Sequence, residues 1–157
     1  MADKQKEISI VVTYLPLDEE TRLLTINCVN NIVKYTYYPF ELILVSNGLT
    51  TFDFGEDIKI INRNNLGNAK AWDQGVSVSS HTIVLMDNDV SVEQNWDKEL
   101  IDMLDEDNVG VTFPYSILGA EDYRATEYRG RRDGFCFAFH RDVYDMCGPF
   151  LQDQPFH

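Results

Sequence analysis

Positive charge is scarce in this 157-residue chain, with 13 Lys and Arg against 26 Asp and Glu, a formal charge of −13 and a sequence pI of about 4.4. Such a field repels nucleic-acid backbones and anionic lipid, which argues against both as partners. Cysteine is scarcer still. Cys28, Cys136 and Cys147 are odd in number and widely spaced, and the histidines stand alone at 81, 140 and 157. No CxxC pair or zinc-ligand spacing results, so reduced thiols in a cytosolic setting are expected. No apolar run approaches the ~18 residues of a membrane span. The opening "MADKQKE" leads straight into a strand without the apolar stretch of a secretory signal, so a soluble, cytoplasmic protein is expected. Glycine is missing from "TYLPLDEE", where a dinucleotide-binding dehydrogenase would carry GxGxxG, and that class is set aside.

What remains is 44% hydrophobic, enough for one domain with a full core. "EISIVVTY" (7–14) fits a buried strand stopped by Pro16, and Asp18 is placed to cap a helix over 18–36. Leu23, Ile26, Val29, Ile32 and Val33 form the apolar face expected of that helix. Further strands are read at 41–46, 57–62 and 82–86. A helix follows the Gly67 turn to about 79, and another runs through "QNWDKELIDMLDED" with Trp96, Leu100, Met103 and Leu104 inward. "NVGVTFP" reads as a fifth strand. This alternation up to residue 113 predicts an α/β domain with a largely parallel sheet and helices on both faces. In such sheets ligands gather at the carboxyl ends of the strands. Residues 114–133 then lose apolar periodicity, yet Arg124, Arg129, Arg131 and Arg132 crowd into nine residues among Tyr115, Tyr123 and Tyr128. "GFCFAFHRDVYDMCGPF" returns to order as a strand with Phe135, Phe137 and Phe139 alternating on one face, a short helix from about 141, and a Gly-Pro stop.

The chemistry concentrates in "TIVLMDNDV", where an apolar strand runs directly into Asp87-Asn88-Asp89. Two carboxylates at i and i+2 can share a hard divalent cation, Mn²⁺ or Mg²⁺, whose remaining ligands are phosphate oxygens and water. A plain Asx-rich turn is the alternative for the motif taken alone.

Taken in order, "ISIVVTY", "ELILVSNG", "NRNNLGNAKAWDQGV", "TIVLMDNDV" and "GFCFAFHRDVYDMCGPF" resemble the GT-A glycosyltransferases of family 2 over about residues 7–151. The resemblance implies a GT-A type, Rossmann-like sheet flanked by helices. It also implies an inverting transfer of a sugar from a nucleotide diphosphate donor to an unknown hydroxyl acceptor. Residues 1–113 would form the donor-binding region, and 114–157 an Arg/Tyr loop plus part of the acceptor side of the same domain. By the same resemblance, Thr13 and Tyr14 line the base, and Ser46 and Asn47 stand where the family often carries an acidic contact to the base. Ser46 in place of that acid leaves both UDP and GDP open, with uridine preferred on family frequency. Asn65 and Gly67 form the turn under the nucleotide, and Lys70 or Asp73 faces the base or sugar. Asp87 and Asp89 hold the metal, and Asn88 contacts the ribose or shapes the turn. Arg129, Arg131 and Arg132 are candidates for a lid over the diphosphate, with a solvated connector as the alternative.

The general base is the missing part of the pattern. The family places it in an acidic pair beyond the "GPF" segment, where this sequence offers Asp153 alone. A nucleotide-sugar-binding domain without turnover is therefore the rival reading. A haloacid-dehalogenase-like phosphatase, with Asp87 as nucleophile, is a further one, although that family carries its motif on an early strand and needs a later Lys and acidic pair. Phe150 and Phe156 near the end of the sequence lead to the expectation of self-association.

Overall fold

A computed structural model describes residues 6–114 and 135–150. In chain order the elements are β1 (Ile8–Tyr14), α1 (Glu19–Tyr35), β2 (Phe40–Ser46), β3 (Ile58–Ile61), α2 (Asn68–Val78) and β4 (Thr82–Asp87). They continue with α3 (Trp96–Asp102), a 3₁₀ turn (Met103–Asp105), β5 (Val111–Thr112), β6 (Cys136–Phe139) and α4 (Arg141–Cys147). The six strands form one sheet in the order β3-β2-β1-β4-β6-β5. β1 to β4 are mutually parallel, whereas β6 runs antiparallel to β4 and β5 antiparallel to β6.

Strand alternation sorts the core into two layers, because successive side chains in a strand point to opposite faces. Ile8, Ile10, Val12, Leu42, Leu44, Val84 and Met86 pack with Cys28, Val29 and Ile32 of α1 and with Leu100 and Ile101 of α3. Val11, Ile43, Val45, Ile83, Leu85 and Phe139 pack with Ala71 and Val76 of α2, and Val143 and Tyr144 of α4 lie against them. Strands buried on both faces explain why β1, β2 and β4 read as continuous apolar runs. α2 lies so close to β1 that a Cβ on Gly75 would stand 2.2 Å from Val11 Cγ1.

The expected elements form, with several differences of phase. Asp18 caps α1 as expected, its carboxylate accepting from the Thr21 amide at 2.9 Å. The inward face of α1 is Thr25, Cys28, Val29 and Ile32, however, while Leu23 is 48% and Val33 62% exposed. Met103 also faces outward, at 47% exposure. Asp97 instead faces inward and is fully buried, accepting from the Tyr37 and Tyr38 amides at 2.8 and 2.9 Å and tying α3 to the segment that leads into β2. "NVGVTFP" yields only the two residues of β5, at the sheet edge. Phe137 and Phe139 share a face, but Phe135 lies on the opposite one, against the α1 side.

Candidate functional site

The chain runs outward from β1 through β2 to β3, then returns to place β4 on the other side of β1. The strand order reverses there, so the loops after β1 and β4 diverge and open a crevice at their carboxyl ends. A cleft of about 300 Å³ occupies that place. Thr13, Tyr14 and Leu15 from β1 form one wall, Asn47 and the Asn65–Asn68 turn another, and Asp87, Asn88 and Asp89 the third.

The Asn47 wall is held by amides. The Asn47 backbone N–H donates to Tyr14 O at 2.7 Å, and its side-chain Nδ2 donates to Gly67 O at 3.2 Å. Asn62, at the end of β3, donates to Asn47 Oδ1 at 3.2 Å and exchanges two hydrogen bonds with Gln74 of α2. Gly67 carries φ +83° at the start of α2, a left-handed conformation that glycine adopts without strain. Its N–H is accepted by Asn65 Oδ1 at 2.8 Å. The Tyr14 ring meets Phe54 edge-on with centroids 5.1 Å apart, fixing the opposite wall.

At the third wall, β4 carries Asp87 to the rim. Burial, and then the neighbouring Asp89 charge, push the Asp87 carboxyl up to about 6, while a hydrogen bond from Thr13 draws it partly back. Asp87 Oδ1 is buried without a hydrogen-bond partner among the described residues. Asp89 is exposed on the cleft side of the turn. Asn88, half-buried between them, donates to Thr25 Oγ1 of α1 at 2.8 Å.

A half-buried carboxylate with an unsatisfied oxygen, two residues from a second carboxylate, suits a hard divalent cation that fills its shell from phosphate and water. No cluster of three or more His, Cys, Asp or Glu stands ready for an all-protein metal cage among the described residues. The donor set therefore fits Mn²⁺ or Mg²⁺ completed by a phosphorylated ligand, and does not fit a structural metal.

Of the residues expected at the site, the fold brings together Thr13, Tyr14, Asn47, Asn65, Gly67, Asp87, Asn88 and Asp89. Three others are placed elsewhere. Ser46 is fully buried and donates to Gly48 O at 2.7 Å, bracing its own turn. Lys70 is exposed on α2 and does not line the cleft. Asp73 turns to the far side of α2, where it accepts from the Tyr144 hydroxyl at 2.6 Å and the Phe150 amide at 3.1 Å. Arg129, Arg131, Arg132 and Asp153 lie outside the described residues. Leu15 and Asn68 join the lining unannounced by any motif, although Asn68 follows directly on the Gly67 turn.

No helix among the described residues is long and apolar enough to cross a membrane. No curated protein sequence matches the chain. Among solved structures, a mannosyltransferase from Pyrobaculum calidifontis in complex with GDP-Man and Mn²⁺ superimposes with a TM-score of 0.67 at 15% identity. That match covers 96% of this chain and 49% of the other, so the chain spans about half the length of that enzyme. Residues 1–349 of S. aureus TarS superimpose with a TM-score of 0.52 at 18% identity, covering 68% of this chain and 34% of that one. These likenesses establish the GT-A fold. The profile of Glycosyl transferase family 2 matches residues 10–150, and the chain belongs to that family.

Proposed function

We propose that the cleft holds the nucleoside diphosphate of a UDP- or GDP-sugar and that the protein transfers the sugar, with inversion, to a hydroxyl acceptor. The observation that carries this reading is the Asp87 carboxylate. An enzyme has no folding reason to bury an unpaired carboxylate oxygen beside a second carboxylate, and a metal–diphosphate pair supplies the missing positive charge. The P. calidifontis neighbour, whose complex holds GDP-Man and Mn²⁺, lends the same fold to that ligand class.

Residues up to 113 hold the donor in this reading, and those beyond contribute to the acceptor side. Tyr14 and Asn47 border the base, and the Gly67 turn lets the backbone approach the nucleotide. Asp87 and Asp89 anchor the diphosphate end. Mn²⁺ or Mg²⁺ held by Asp87 and Asp89 would supply positive charge to the leaving diphosphate. Acceptor attack on the anomeric carbon and loss of the diphosphate occur in one in-line displacement, with the acceptor proton passing to a general base. Asp153 remains the sequence candidate for that base.

The test is calorimetric titration of UDP and GDP, with and without Mn²⁺, into the wild type and an Asp89→Ala variant. Metal-dependent binding of one nucleotide that disappears in the variant is the expected result. Equal binding by the variant, or binding indifferent to metal, would overturn the assignment of the carboxylate pair.

A further inference from the structure

We infer that α1 holds the Asp87–Asp89 turn in its ligand-binding shape through Thr25, and that Thr25 is therefore a positioning residue for the metal–diphosphate site. This rests on the donor-site reading above and extends it into a helix that contributes nothing to the cleft lining.

Two carboxylates placed i and i+2 on a turn repel each other, and the turn's own backbone closure is weak. The Val90 N–H reaches Asp87 O only at 3.4 Å. The shape must be held from outside, and α1 supplies two holds one helical turn apart. Thr25 is fully buried on a face otherwise apolar, an unusual place for a hydroxyl unless it is fully bonded. It is bonded in a fixed direction. Thr25 Oγ1 donates to Thr21 O at 2.9 Å, which leaves its lone pairs to accept from Asn88 Nδ2 at 2.8 Å. Cys28, 1% exposed, lies with Sγ 3.7 Å from Asp87 O and 3.8 Å from Met86 Sδ. The middle residue of Asp-Asn-Asp is thus pinned by its side chain while its neighbours project toward the cleft. Outer partners of this kind fix the orientation of carboxylates that would otherwise rotate, and their loss typically costs metal affinity about 10- to 100-fold.

The experiment titrates Mn²⁺ into the full chain at saturating UDP or GDP, reading free Mn²⁺ by its paramagnetic resonance signal. Thr25→Val, Thr25→Ser, Asn88→Ala and the Thr25→Val/Asn88→Ala pair are compared with the wild type. Thr25→Val should weaken Mn²⁺ about 10-fold, Thr25→Ser should restore most of it, and the double variant should be no worse than either single one. In the metal-free protein, amide exchange should quicken at residues 88–90 in Thr25→Val and stay unchanged in β1 and β4, which separates a loosened turn from a loosened fold. Wild-type Mn²⁺ affinity in Thr25→Val, or losses that add in the double variant, would overturn the inference alone. A wild type that takes up no Mn²⁺ with either nucleotide would overturn the donor-site reading as well.

Discussion

Asp87→Asn is expected to stabilise the metal-free protein at neutral pH while abolishing its metal-dependent nucleotide affinity. In the fold the Asp87 carboxyl is pushed up to about 6 from an ordinary 3.8, first because burial strips it of water and second because Asp89 stands beside it. Between those values the folded chain keeps a proton that the unfolded chain has released. Stability contributed by this group is therefore greatest below about pH 4, falls as the pH rises through about 6, and stays low above that. Roughly two pH units at about 1.4 kcal/mol each give a cost of about 3 kcal/mol at about pH 7.5, with about half already present at about pH 5. Asparagine has no charge to desolvate. The variant should melt roughly 6–12 °C above the wild type at about pH 7.5, given about 2–4 °C per kcal/mol for a chain of this size. The gap should narrow through about pH 4 and close toward about pH 3, where the wild-type carboxyl is protonated in both states. Scanning calorimetry in the presence of a chelator, across that pH range, reads both curves. Parallel curves at every pH, or a variant less stable than the wild type at about pH 7.5, would refute the argument that Asp87 is a carboxylate kept at a cost to folding.

Two further substitutions test how the fold supports the cleft. Gly75→Ala would drive a Cβ to 2.2 Å from Val11 Cγ1 on a strand buried in the middle of the sheet, and should cost about 1–3 kcal/mol or more in urea denaturation. The same change should weaken nucleotide binding, since α2 carries the Gly67 turn at its start. Asp97→Asn replaces one of the two acceptors facing the Tyr37 and Tyr38 amides with a donor, and should cost about 3 kcal/mol, read by urea denaturation, without changing nucleotide affinity at the distant cleft.

Much of this arrangement is visible in the sequence because the signals are local. Apolar β-branched runs locate β1, β2 and β4, and Asp18 marks the start of α1. A strand ending in Asp-Asn-Asp and a glycine opening a helix mark two sides of the cleft, since both must sit at strand ends once the elements alternate. The differences share a cause: tertiary partners, not local periodicity, decide where polar side chains point. Thr25 and Cys28 face inward because the turn after β4 offers them partners, displacing Leu23 and Val33 from the expected face. Asp73 lies on the helix that opens the cleft, yet Tyr144 and the Phe150 amide draw it to the other side. Nothing within Cys136–Phe139 specifies direction, so its antiparallel insertion beside β4 is a fact of topology alone. The inward Asp97 is legible only once the chain turn at Tyr37 and Tyr38 is placed beside α3.

In the proposed function, Asp87 and Asp89 hold a divalent cation against a nucleoside diphosphate in the crevice between β1 and β4. The most direct test is paramagnetic broadening of backbone amide resonances by substoichiometric Mn²⁺, with and without UDP or GDP. With a formal charge of −13, the surface offers Mn²⁺ many nonspecific carboxylates, which makes the location of the effect decisive. Nucleotide-dependent broadening centred on residues 87–90 and extending to 13–15, 47 and 67–68 is the expected result. Broadening centred instead on the acidic stretch from 97 to 107, unchanged by nucleotide, would contradict it.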